Sequence, residues 1–231
     1  MNDKKSDKII FAIDFPDFTR AKNIIDLTND SLSFYKIGLE MMASGDYFKT
    51  IEYLKKKQKK IFADLKLYDI PQTIGKAVKN LSKYDIDFLT IHSANQDIMR
   101  SAVENKGNIK LIAVTVLTCL QKEDLEIMGF DRSFSVSDLV IKKTELAIDC
   151  GLDGVVASGL ETKLIREKLG NDFLIITPGI RDLDSLPDDQ KRTVTINQAI
   201  SYGASHVVIG RPISQSENPA DAAKKFINMI K

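Results

Sequence analysis

Cysteine is nearly absent from this sequence: Cys119 and Cys150 are the only two. Their spacing matches no metal site, neither sits in a nucleophile signature, and a disulfide framework is excluded. A reducing cytoplasm is the simplest setting for such a chain. Long apolar runs are missing too. None approaches the ~18 residues that a membrane span requires, and residues 1–7 are polar and charged, unlike a signal peptide. Charge of one sign is not in excess. The formal net charge is +1, which gives no electrostatic case for a nucleic-acid partner. The one dense basic run, Lys55, Lys56, Lys57, Lys59 and Lys60, reads as a solvated helix end. A Gly-x-Gly-x-x-Gly after the first strand is also lacking, which removes the main support for a dinucleotide-binding open sheet.

What is present is a regular alternation of short apolar runs with amphipathic segments. Strands are predicted at 9–13, 34–38, 61–66, 88–92, 109–116, 154–157, 173–177 and 206–209. Between and after them, helices are predicted at 17–27, in the stretch ending at the lysine run, at 71–83, 97–104, 122–128, 136–150, from 161, at 196–202 and at 219–230. The strands are rich in Ile, Val and Phe. Apolar strands separated by helices imply a parallel sheet covered by helices. A (β/α)₈ barrel takes about 250 residues and small ones about 200. The 231 residues here therefore predict one TIM-barrel domain over 1–231, of the α/β class.

Barrel chemistry belongs at the carboxyl ends of the strands. There the sequence places Asp14, Lys36, Asp64 and Lys66. With a period of two, Asp64 and Lys66 share a face, toward the barrel mouth. Buried ion pairs are weak stabilisers, so four charges on three successive strand ends favour function over stability. The last two strands run into Thr177-Pro178-Gly179-Ile180-Arg181 and Ile209-Gly210-Arg211-Pro212. Barrels bind phosphate on those two loops. Glycine lets backbone N–H groups approach an oxyanion, and arginine adds a bidentate fork. The expected ligand is a phosphorylated small molecule whose reactive end lies over strands one to three.

At these residues the sequence resembles the orotidine 5′-monophosphate decarboxylase family, in its shorter bacterial form, over nearly the whole chain. The most specific part is residues 62–73, Phe-Ala-Asp-Leu-Lys-Leu-Tyr-Asp-Ile-Pro-Gln-Thr. Ile13-Asp14, Lys36-Ile37-Gly38-Leu39-Glu40, Leu117-Thr118, Pro178-Gly179-Ile180-Arg181, residues 189–192 and Gly210-Arg211-Pro212 follow in the family's order. The resemblance implies decarboxylation of orotidine 5′-monophosphate to UMP, the last step of de novo pyrimidine synthesis, without metal or cofactor. It implies that Lys66 protonates C6 and that Asp64 faces the substrate carboxylate. Asp69 and Thr73 would reach the neighbouring site of a homodimer. Lys36 would link the charges to the ribose, and Asp14 would hold a ribose hydroxyl. Thr118 would sit near the pyrimidine, Gln190 would bridge base and phosphate from a closing loop, and Arg181, Gly210 and Arg211 would surround the phosphate. Three places depart from the family pattern: Asn95-Gln96 for a Gly pair, Gly45-Asp46 for Gly-Pro, and Thr195-Ile196 for Thr-Pro.

Three rivals stand beside this reading. A Mg²⁺-dependent 3-keto-gulonate-6-phosphate decarboxylase would carry an acidic residue at position 36, where this chain has lysine. A pentose-phosphate epimerase would want several histidines at strand ends, and only His92 is so placed. A non-catalytic nucleotide-binding barrel need not keep Asp64, Lys66 and Asp69 together. His92 and His206 themselves read as structural.

Overall fold

The computed structural model describes residues 5–180 and 193–230. Among these, eight parallel strands close on themselves: β1 (Ile9–Ile13), β2 (Phe34–Gly38), β3 (Lys60–Leu67), β4 (Phe88–His92), β5 (Lys110–Val114), β6 (Gly154–Val156), β7 (Leu174–Thr177) and β8 (His206–Ile209). The closing pair sets Ile9, Ile10 and Phe11 against Val207, Val208 and Ile209. Helices alternate with the strands: α1 (Phe18–Thr28), α2 (Leu39–Ser44), α3 (Tyr47–Lys56), α4 (Pro71–Leu81), α5 (Gln96–Asn105), α6 (Lys122–Ile127), α7 (Val136–Asp149), α8 (Gly159–Leu169), α9 (Ile196–Ser201), α10 (Arg211–Ser214) and α11 (Pro219–Met229). This is the (β/α)₈ barrel that the alternation predicts.

The strands are mostly apolar because both faces are covered. Outward residues such as Ile9, Phe11, Ile37, Ala63 and Leu89 join the helices in one large core. Inward residues form a second, smaller cluster of Ile10, Ala12, Phe34, Phe62, Phe88, Ile112, Ile176 and Val208. At the amino-terminal end of the barrel, Phe34, Phe88 and His206 stack edge to face, with ring centroids 4.9–5.8 Å apart. His206 is thus part of the floor, away from the mouth.

Local signals set the helix starts. Asp17 caps α1 by accepting the Arg20 N–H at 2.9 Å. Pro71 opens α4, where its missing N–H costs nothing. The three departures from the family pattern have structural uses of their own. Asn95 caps α5 by accepting from Ile98 N–H at 2.9 Å. Asp46 accepts the Phe18 N–H at 3.0 Å and so ties α1 to the start of α3. Thr195 forms a capping box with Gln198 on α9.

Some boundaries differ from the sequence reading. The single helix expected after β2 is two, because Gly45 turns left-handed at φ 86° and ends α2. The strand expected at 109–116 stops at Val114, and Val116, Leu117 and Thr118 line the mouth instead. In the lysine run, Lys59 is not simply solvated: its ammonium donates to the carbonyls of Asn29 and Leu32 at 2.5 and 3.0 Å.

Candidate active site

A cavity of about 250 Å³ opens at the carboxyl ends of the strands. Its charged side is built from β1 to β3. Pairing sets Ala12 against Lys36, and Gly38 against Asp64. Asp14, one residue beyond β1, therefore lies level with Gly38 and Asp64. Lys36 starts one layer deeper, level with Phe62. Gly38 has no side chain to fill its place, and the Lys36 stem rises into that gap. A Cβ on Gly38 would come 3.5 Å from Lys36 Nζ and 4.0 Å from Asp14 Oδ1.

The result is an alternating array. Lys36 Nζ lies 3.0 Å from Asp14 Oδ1 and 3.4 Å from Asp64 Oδ2. Lys66 Nζ lies 2.8 Å from Asp64 Oδ1. Burial works against the Lys36 ammonium, but Asp64 and Asp14 outweigh it and hold its pKa above the ordinary lysine value. Burial likewise opposes the Asp64 carboxylate. Lys36 and Lys66 overcome it, with hydrogen bonds from Lys66 and Thr90, so Asp64 titrates below the usual carboxylate range. Lys36 and Asp64 are thus each held in the charged form by the partner beside them, within ångströms of one another.

Asp64 and Lys66 converge as expected, yet not by simple alternation. Lys66 has φ 48°, the left-handed region, and the pairing of β3 with β4 shifts between Ala63 and Leu67. A bulge, not a flat strand, aims the lysine back at Asp64.

Across the cavity, the walls are apolar: Val114, Val116, Leu117, Val156, Ile176 and Val208, with Thr118 at the rim. Pro178, Gly179, Gly210 and Arg211 complete it on the side of β7 and β8. Gly179 is left-handed at φ 77°, a conformation that favours glycine. A Cβ on Gly210 would stand 3.4 Å from that of Ala12 and 3.9 Å from Asp14 Oδ2, in ordinary contact, so the chain here runs close beside β1. Arg211 starts the short helix α10, with Gly210 as its cap. One end of the cavity thus gathers fixed opposite charges. The other presents glycine backbone and an arginine, the donor types that suit phosphate.

The cavity brings together Asp14, Lys36, Asp64, Lys66, Thr118, Gly210 and Arg211. Asp69 and Thr73 are elsewhere: both are exposed, just beyond β3 and in the first turn of α4, and Asp69 accepts the Ile70 N–H at 2.6 Å. Arg181 and Gln190 lie outside the described residues. His92 is half-buried, edge-on to Tyr68 at 5.7 Å between ring centroids. Burial, then Lys143 and Lys66, press its pKa below the ordinary histidine value. Two residues of the site carry no role in the sequence reading. Gly38 makes room for the ammonium, and Thr90 hydrogen-bonds Asp64 from behind at 3.0 Å. The signal for Thr90 was a lone hydroxyl in the apolar strand Phe88-Leu89-Thr90-Ile91.

Residues 7–226 match the family model described as Orotidine 5′-phosphate decarboxylase / HUMPS family. The chain belongs to that family. An orotidine 5′-phosphate decarboxylase of Methylococcus capsulatus is 45% identical over 221 residues, covering 95% of this chain and 90% of the relative. Another from Xanthomonas euvesicatoria is 43% identical over 226 residues, covering 97% and 92%. Among solved structures, orotidine 5′-phosphate decarboxylase from Lactobacillus acidophilus superposes with a TM-score of 0.83 at 30% identity, covering 95% of this chain and 97% of that one. The orotidine 5′-phosphate decarboxylase / HUMPS match spans both ends of the cavity, from Asp14 to Arg211.

Proposed function

We infer that this chain decarboxylates orotidine 5′-monophosphate to UMP and CO₂, the final step of de novo UMP synthesis, as a single-domain barrel over 1–231. The observation that carries the reading is the array Asp14–Lys36–Asp64–Lys66 facing a cavity whose far end suits phosphate. The family and its named relatives support it.

The chemistry follows from the charges. Breaking the C6–CO₂ bond leaves an electron pair on C6 with no conventional electron sink. The barrier must then fall through preorganised charge. Asp64 faces the substrate carboxylate, whose charge disappears as CO₂ forms. Lys66 stabilises the growing negative charge and passes its proton to C6. Lys36 links the array to the ribose, and Asp14 takes a ribose hydroxyl. Arg181, Gly210 and Arg211 hold the phosphate, Thr118 contacts the base, and Gln190 bridges base and phosphate. Phosphate binding energy keeps the ring against the array. Neither metal nor cofactor is needed. The Lys36 ammonium stands between two carboxylates, the place a divalent cation would otherwise take, and this weighs against the Mg²⁺-dependent rival.

The enzyme works as a cytoplasmic homodimer. Asp69 completes the partner's charge array and Thr73 its binding surface. In support, both are exposed, and Tyr68 and Ile70 beside them are 70% and 63% exposed, an apolar pair suited to burial between copies. Among the described residues no helix is long and apolar enough to cross a membrane.

The deciding experiment follows the absorbance of orotidine 5′-monophosphate with pure protein in excess EDTA, beside Lys66→Ala. Loss in the wild type and none in the variant, with UMP still bound by both, is the expected result. Turnover that stops in EDTA and returns with Mg²⁺ would overturn the metal-free reading. Mixing inactive Lys66→Ala with inactive Asp69→Ala tests the dimer: shared sites restore part of the activity in mixed dimers, and separate sites restore none.

A further inference from the structure

Three residues of β3 face one residue of β4. Pairing steps from Ala63 with Leu89 to Leu67 with Ile91, so Asp64, Leu65 and Lys66 share Thr90 as their only opposite number. A bulge of this kind leaves main-chain groups without ladder partners. Here a side chain takes the partner's place. The Lys66 N–H donates to Thr90 Oγ1 at 2.8 Å. Because a main-chain N–H can only donate, Oγ1 is the acceptor, and its own proton is free for another group. That proton goes to Asp64 Oδ1, at 3.0 Å. The same Asp64 oxygen receives the Lys66 ammonium at 2.8 Å. Main chain of Lys66, hydroxyl of Thr90, carboxylate of Asp64 and ammonium of Lys66 thus form a closed ring.

Thr90 is fully buried and is not among the residues lining the cavity. Water therefore has no access to replace the hydroxyl, which lies behind Asp64 as seen from the cavity. Lys66 is held in a left-handed conformation, φ 48°, that a residue with a side chain adopts only when its surroundings impose it. The hydrogen bond from its N–H is part of that constraint.

We propose that Thr90 is a positioning residue for the decarboxylation: its hydroxyl holds the β3 bulge that aims Lys66 and turns the Asp64 carboxylate toward it. The proposal rests on the decarboxylase reading above. It adds to it a residue that acts only through the two reacting groups. Asp64 is faced by Lys36 from β2, Lys66 from β3, Thr90 and His92 from β4, Tyr47 from α3, and Asp14 across Lys36. Of these, Thr90 alone bonds both Asp64 and the main chain of Lys66.

The test compares Thr90→Val, which keeps the branched shape and removes the hydroxyl, with Thr90→Ser, which keeps the hydroxyl. Misplacing a catalytic group by about 1 Å costs about 10²-fold in rate. Thr90→Val should therefore lower kcat by about that factor while KM and the Kd for UMP stay within about threefold, since the phosphate end is untouched. The acid limb of its kcat profile should move to higher pH, because Asp64 has lost a donor to its ionised form. Thr90→Ser should recover most of the rate. Should the valine variant fail to fold, Thr90→Ala and Thr90→Cys are compared with Thr90→Ser in the same way. A kcat for the hydroxyl-free variants within about threefold of wild type, or equal losses in Thr90→Ser and Thr90→Val, would overturn the proposal. Failure of the underlying reading is told apart by the parent protein, which would then bind UMP without consuming orotidine 5′-monophosphate.

Discussion

The Lys36 ammonium stands 3.5 Å from where a Cβ on Gly38 would be, in space that a side chain larger than alanine would fill. Both residues face inward on β2, and the deeper one reaches up through the gap left by the shallower to touch Asp14 and Asp64. The charge array therefore depends on a missing side chain as much as on those present.

Gly38 tests this directly. Its φ of −127° is open to any residue, so substitution there acts through space and not through backbone strain. Gly38→Ala should keep most of the activity, since the added Cβ would make only ordinary contacts, 3.5 Å from both Lys36 Nζ and the Asp64 carbonyl oxygen and 4.0 Å from Asp14 Oδ1. Gly38→Val should displace the ammonium and cut kcat/KM by about 10²-fold or more. Equal activity in the alanine and valine variants would refute the role of the gap.

Removing Lys36 itself reaches stability as well as rate. Its side chain and that of Asp64 are 11% and 12% exposed. Breaking a buried pair costs about 3–5 kcal/mol. Asp64 keeps Lys66, so Lys36→Ala should fall near the lower end, lowering Tm by about 6–12 °C. Thermal melts of the two proteins at one concentration check it. An unchanged Tm would show that the array is relaxed by solvent.

The far end of the cavity should matter to the chemistry it does not touch. Orotidine without its phosphate should react with kcat/KM lowered by orders of magnitude, because phosphate binding holds the ring in place. Arg211→Ala should weaken UMP binding by about 10–100-fold, the loss of one charge-assisted contact of about 1.5–3 kcal/mol. Orotidine turned over as fast as its phosphate would sink this account.

His92 gives the pH dependence a defined sign. Its folded pKa is lowered by burial, Lys143 and Lys66, against the opposing pull of Asp64. The unfolded chain takes the proton first, near pH 6.5. The contribution of His92 to stability is then full above that pH and is lost as pH falls toward the folded pKa. Tm should decline from pH 7.5 to 5.5, and the decline should be shallower in His92→Asn. Parallel curves for the two proteins would contradict the assignment.

The eight strands were legible because parallel strands buried on both faces are written as plain apolar runs. Phe34–Gly38, Phe88–His92 and His206–Ile209 fall where the sequence puts them. Asp14 and Lys66 were legible for the same reason, as charges at the end of such a run, whereas Lys36, read as the end of strand two, sits in the middle of β2 and reaches the mouth only by the length of its side chain. Spacing could not show the bulge at Lys66, since Asp-x-Lys predicts one shared face whether the strand is flat or kinked. Nor could it show that Gly38 matters as an empty place, because only the register with Asp64 reveals what the gap is for. Asp69 and Thr73 were marked by resemblance alone, and a single chain leaves them at its surface.

The floor of Phe34, Phe88 and His206 makes the site a cul-de-sac. Beneath Asp64 and Lys36 the barrel is filled with inward aromatic and aliphatic side chains, a packed core and not a pore. On the proposed reaction, CO₂ finds no passage through this floor among the described residues, and its way out is the mouth by which the nucleotide enters.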